Sequence, residues 1–201
     1  MAMFKKEKGH EEKGTWQQNL LSSLHDIVYV LATFMVLYML FFRVVVVVGP
    51  SMYDTLVDGD RLVLLSSALY GKPQQGDVIV ASKESFQGGE CIVKRVIATE
   101  GQLVDIDFEL GIVFVDGLPL DESDYVFSPT HKPEGMVFPQ VVPEGHVFVM
   151  GDNRESSKDS RDPEIGFIDE REILGKAIFL MWPGDNNGQQ KQDYDRIGVV
   201  E

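Results

Sequence analysis

Apolar residues along this chain follow two different patterns, and the change between them falls near Arg43. From Ile27 to Phe42 (IVYVLATFMVLYMLFF) sixteen residues pass without a charge, a Gly or a Pro. A helix rising about 1.5 Å per residue needs roughly 20 residues to cross a bilayer core. Leu20 to Leu24 upstream and Val44 to Val48 downstream make up that length, so the pattern predicts one transmembrane helix over 20–43. A core helix would show a polar stripe at period 3.6, and this segment is apolar all round. A cleavable leader would have a shorter apolar region and a small-residue site, whereas here LFFRVVVVV follows.

Beyond Arg43 the apolar residues come in short, β-branched runs: 44–48, 61–65, 77–81, 91–98, 112–115, 146–150 and 176–181. Turn-forming clusters separate them (VDGD, GKPQQGD, QGGE, DGLP, VPEG, WPGDNN), which predicts a mostly β, mainly antiparallel domain over 44–184. The stretch 121–143 is expected to be an irregular insertion, IDEREIL near 168–174 a short helix, and 185–201 a flexible tail. LVLLSSALYG at 62–71 is apolar beyond one strand and reads equally as core or as a surface resting on lipid.

Charge narrows the function classes. With 18 Lys and Arg against 32 Asp and Glu, the net charge of −14 opposes a phosphate backbone, so no nucleic-acid partner is expected. A single cysteine, Cys91, excludes an intrachain disulfide. No cluster of His, Cys and carboxylates has metal-ligand spacing, so neither metal nor cofactor is expected. Lys5, Lys6, Lys8 and Lys13 precede the apolar segment and only Arg43 follows it closely, which predicts a cytoplasmic 1–19 tail and an extracytoplasmic body.

Three segments carry candidate chemistry. Ser51 follows a strand and a Gly-Pro break, where a sharp turn exposes a hydroxyl and backbone N–H groups, although Ser after Gly-Pro also serves as plain turn chemistry. In CIVKRVIA two cations stand mid-strand, and alternation turns at least one toward apolar neighbours. A desolvated lysine loses its proton more easily and becomes a general base, whereas an edge strand with solvated cations is the alternative. Arg95 stays protonated and cannot play that part. The run MGDNRESSKDSRDPEIGFI packs Asp152, Asn153, Arg154, Ser156, Ser157, Asp159 and Arg161 behind a strand, as a solvated loop or as an ion-paired loop able to orient Lys94.

GPSMYDTL with DGDRLVL, KRVIATEG, and GDNRESSKDSR followed by IGFI together resemble the bacterial type I signal peptidases, the Ser/Lys membrane proteases. The resemblance runs from about Val44 to Pro183 in the family's order, and one membrane span makes the chain similar to the smaller Gram-positive-type members. It implies a β-sheet catalytic domain in which Ser51 is the nucleophile and Lys94 its general base. It further implies that Ser157 orients the Lys94 amine, that Asp159 with Arg161 and Asp152 with Arg95 form bracing ion pairs, and that Met52 lines the substrate groove. The implied reaction is removal of signal peptides from secretory precursors after a small-x-small (Ala-X-Ala) pattern, by a monomer at the cell membrane whose partners are those precursors and the lipid bilayer. The chain departs from the pattern at Asp54 (usually Pro), at Glu100 and Gln102, and at Gly49, where some relatives place a serine as second oxyanion donor. A catalytically silent membrane-anchored domain binding precursors is the reading from another class, and the joint presence of Ser51, Lys94 and Ser157 counts against it.

Overall fold

The computed structural model describes residues 11–53, 55–83, 91–186, 188 and 191–200. One helix, α1 (Glu11–Phe41), precedes a body of antiparallel strands. Its apolar part, Gln18–Phe41, is 24 residues with mean hydropathy 1.9, long and apolar enough to cross a membrane. The helix thus gains its length upstream rather than from Val44 to Val48. Those residues favour β pairing: β1 (Phe42–Val46) runs antiparallel to β2 (Arg61–Ser66).

The larger sheet has eight strands. Besides β1 and β2 it contains β3 (Val78–Ser82), β4 (Cys91–Thr99), β9 (His146–Met150), β10 (Ile168–Asp169), β11 (Ile173–Trp182) and β12 (Gly198–Val199), in the order β1-β2-β11-β3-β4-β9-β10 with β12 on β11. A four-stranded sheet, β7-β6-β5-β8, comprises β5 (Leu103–Asp107), β6 (Ile112–Val115), β7 (Leu118–Pro119) and β8 (Gln140–Val141). Every pairing is antiparallel, as the short turn-punctuated runs predict. Between the sheets Val104, Ile106 and Val113 meet Ile97, Phe148 and Met150. A chain of edge-to-face rings, Phe108–Phe138–Phe148–Phe167, has centroids 5.9, 5.8 and 6.0 Å apart. Each such contact adds about 0.5–1.5 kcal/mol beyond the burial itself.

Two local expectations change, and the segment at 62–71 divides between core and surface. IDEREIL is not an α-helix: Glu170–Glu172 forms one 3-10 turn, closed by a capping box between Asp169 and Glu172. The alternate burial of Ile173, Gly175 and Ala177 then commits the chain to β11. The tail expected to be flexible returns to the sheet, where β12 pairs with Phe179 and Leu180 and Arg196 forms an ion pair with Asp60. In LVLLSSALYG, Leu62 and Leu64 are core, while the single-turn helix α2 (Ser67–Tyr70) buries no residue.

The insertion at 121–143 is irregular apart from β8, and buried arginines supply what a ladder would. Arg154 bonds Glu122 and Thr130 Oγ1, Arg161 Nη1 donates to Lys132 O, and Arg95 stacks on Tyr125 at 4.1 Å. Guanidinium groups, with five donors each, can satisfy carbonyls that no strand faces.

Candidate active site

The turn that carries Ser51 lies between β1 and β2. Tyr53 N donates to Pro50 O, Leu56 N to Met52 O, and Val47 N to Asp60 O. The loop therefore closes on itself and leaves the Ser51 hydroxyl partly exposed. Met52, expected in the substrate groove, is instead fully buried and packs in a core cluster with Val47, Leu56, Leu62 and Leu64.

Lys94 lies on β4, opposite Ile79 of β3, with only 4% of its surface exposed. Its Nζ donates to Ser51 Oγ at 2.7 Å. Burial pushes the ammonium down from its ordinary 10.5 to about 8, against the upward pull of Asp159, Asp152 and Glu134. The solvated edge-strand alternative therefore does not describe this cation. At about 8 a useful fraction of the amine is neutral near neutral pH, the condition for a general base.

The polar run after β9 folds as a buried ion-paired loop. Arg95 Nε and Nη2 donate to the two Asp152 oxygens at 2.9 and 2.8 Å, and Nη1 donates to Gly76 O. Arg161 grips Asp159 at 2.8 and 2.9 Å, with both side chains fully buried. Burial alone would raise the Asp159 carboxyl, but the Arg161 guanidinium and the Gly151 N–H hold it below its ordinary value. Ser157 is buried in the same loop, beside Asp159, and no hydrogen bond joins its Oγ to Lys94 Nζ among the described residues. Gly151 is the reason the loop can come this close, since a Cβ there would lie 2.2 Å from Ser157 Oγ and 2.4 Å from Ser51 O.

Two contacts around Ser51 are not legible from the motifs. Asn153 donates its backbone N–H to Ser51 O and its side-chain amide to Pro50 O, both at 3.1 Å. Asp58 Oδ1 accepts from Gly49 N at 2.6 Å, so that amide is not free to face an oxyanion. Gly49 has φ +87, a region that disfavours a serine there. Among the other departures, Glu100 accepts from Lys72 Nζ and Gly145 N, and Gln102 caps the Thr99 turn while bonding Asp116. Asp54 lies outside the described residues.

A cleft of about 620 Å³ opens over the pair, walled by Val45, Val48 and Gly49 on one side and by Val80, Ile92 and Val93 on the other. From Cys91 to Lys94, β4 is paired only with β3 among the described residues, because β9 takes up the other side from Arg95 onward. Among the described residues no group of three His, Cys, Asp or Glu could hold a metal ion.

A probable signal peptidase I-1 of Synechocystis is 40% identical over 148 residues, 70% of this chain and 71% of that protein. The signal peptidase I of Bacillus amyloliquefaciens is 33% identical over 75% of this chain and 79% of its own length. That of Bacillus licheniformis is 30% identical over 86% and 95%. A solved signal peptidase I from Enterococcus faecalis is 28% identical over 53% of this chain and 97% of that one, with a TM-score of 0.42. The family model described as signal peptidase, peptidase S26, matches residues 20–182, and with relatives of this identity over most of their length the chain belongs to the signal peptidase family of peptidases.

Proposed function

We propose that this signal peptidase cleaves secretory precursors through a Ser51/Lys94 pair and a covalent acyl-enzyme. The observation that carries this reading is the 2.7 Å contact between Lys94 Nζ and Ser51 Oγ, with the lysine 4% exposed and its ammonium pushed down to about 8. Neutral Lys94 accepts the Ser51 proton as Oγ attacks the scissile carbonyl carbon. The resulting oxyanion is met by the backbone N–H of Ser51. Collapse breaks the C–N bond, and the Lys94 ammonium returns its proton to the departing amine of the mature protein. Water then attacks the ester with Lys94 again as base, releasing the signal peptide as a carboxylate and restoring Ser51.

An extended substrate has a place to lie. Cys91 to Lys94 presents β4 backbone with no strand on the cleft side among the described residues, so a signal peptide can add as a short strand and bring its carbonyl to Ser51. The resemblance to signal peptidases suggests that small residues flank the cut, as in Ala-X-Ala. The ion pairs Asp152–Arg95 and Asp159–Arg161 brace the loop behind the base. Residues 20–43 serve as a single-pass anchor with 1–19 cytoplasmic, placing the 44–184 domain where precursors emerge.

The test is cleavage in detergent of a precursor bearing an Ala-X-Ala site, with Ser51→Ala and Lys94→Ala alongside and the cut located by mass spectrometry. Cleavage after the small residue that both substitutions abolish is the expected result. Cleavage that survives either substitution removes that residue from the mechanism, and a folded protein that binds precursor without cutting it turns the reading to the silent binder.

A further inference from the structure

Asp60 has no exposed surface, and four donors from three parts of the chain converge on its carboxylate. Val57 N reaches Oδ2 at 2.8 Å and Gly184 N reaches Oδ1 at 2.7 Å. Arg196 supplies the others, Nη1 to Oδ1 at 3.1 Å and Nη2 to Oδ2 at 2.7 Å, and the same Nη2 donates to Thr55 O at 3.1 Å. Thr55, Val57 and Asp60 all belong to the loop that carries Ser51. Gly184 follows β11, and Arg196 stands just before β12 on a segment anchored to β11. One guanidinium therefore fastens the nucleophile loop to both the exit of the central strand and the end of the chain.

The contacts lead on to the nucleophile. Thr55 adjoins Leu56, whose N–H donates to Met52 O at 2.8 Å, and Met52 adjoins Ser51. On the far side the loop closes through Val47 N to Asp60 O at 2.8 Å and Gly59 N to Val47 O at 2.9 Å. A planar fork suits two carboxylate oxygens and a neighbouring carbonyl, whereas an ammonium presents a single point of charge. Asn153, from the loop after β9, holds Ser51 O and Pro50 O. The nucleophile turn is thus held between two clamps, one from the loop after β9 and one from the C-terminal segment.

We infer that Arg196 is a positioning residue for the Ser51 nucleophile, acting from the C-terminal segment through Asp60 and Thr55. The inference rests on the Ser51/Lys94 reading. A buried pair that only stabilised the fold would lower stability and leave turnover alone. A positioning pair lowers kcat, because a displacement of about 1 Å at a nucleophile can reduce the rate by about a hundredfold.

The experiment measures kcat, KM and the pH profile on one precursor peptide for the full chain in detergent, as wild type, Arg196→Ala, Arg196→Lys and Ser51→Ala. For Arg196→Ala the expected result is a kcat lower by roughly ten- to a hundredfold with KM changed less than about twofold. The alkaline rise stays where it is in wild type, because Lys94 is untouched. Added methylguanidinium restores part of the lost kcat, and Arg196→Lys, which keeps the charge without the fork, recovers only part. A folded Arg196→Ala with wild-type kcat and a lowered Tm overturns the inference and leaves a structural ion pair. If Arg196→Ala does not fold, Arg196→Lys decides: wild-type kcat in that variant overturns the inference, and a lowered kcat at unchanged KM upholds it. Activity remaining in Ser51→Ala defeats the underlying reading, and with it this one, whatever Arg196 does.

Discussion

The protonation of Lys94 sets a quantitative expectation for how the reaction depends on pH. Burial moves this amine from 10.5 to about 8. With a value of about 8, roughly a tenth of the lysine is neutral near pH 7, against about 0.03% at the ordinary value, so burial multiplies the reactive form about 300-fold. In a free-enzyme profile, kcat/KM should rise about tenfold per pH unit from near pH 6 and level off just above pH 8. Glu134→Gln removes one of the charges that hold the proton on Lys94, so in that variant the rise should move toward lower pH. Stability carries the same sign: the unfolded chain binds the extra proton between about 8 and 10.5, so the lysine costs about 3 kcal/mol below that window and the cost fades as pH rises through it. The assay is kcat/KM on a fluorogenic precursor peptide across that range, for wild type and Glu134→Gln. A rise centred near 10, or a flat profile, would refute the argument that desolvation prepares Lys94 as the base.

Other expectations follow from burial and close packing. Asp159→Asn leaves the fully buried Arg161 without its carboxylate, and urea unfolding should show a loss of about 3–5 kcal/mol. Gly151→Ala puts a methyl group 2.2 Å from Ser157 Oγ and 2.4 Å from Ser51 O. Cleavage should fall by roughly a hundredfold while circular dichroism is unchanged; a wild-type rate would contradict the tight approach. Met52→Ala opens a core cavity and should lower stability by about 2–5 kcal/mol without altering which residues are preferred before the cut. A changed preference at unchanged stability would return Met52 to the groove.

Much of this arrangement is legible in the sequence wherever a local pattern encodes it. The β-branched runs predict β1, β2, β3, β4, β6, β9 and β11, and the misplaced charge in CIVKRVIA marks Lys94. β5 escapes because its outward positions are Asp105 and Asp107, so LVDID reads as polar although Val104 and Ile106 are buried. The buried arginines are harder still. Arg154 finds Glu122 and Thr130, and Arg161 finds Lys132 O, far upstream in a segment without periodicity. Resemblance alone points Met52 to the groove, whereas its burial depends on the pairing of β1 with β2, which brings Val47, Leu62 and Leu64 around it. Arg196 and Asp60 stand 136 positions apart, and no local signature links them.

The central claim is that Ser51 becomes covalently attached to the signal peptide with Lys94 as its base, and rapid mixing with precursor followed by acid quench and peptide mapping tests it most directly. An ester on the Ser51 peptide, carrying the residue that precedes the cut, is expected from wild type and absent from Lys94→Ala. Turnover with no adduct at any time, or an adduct on another residue, would contradict it.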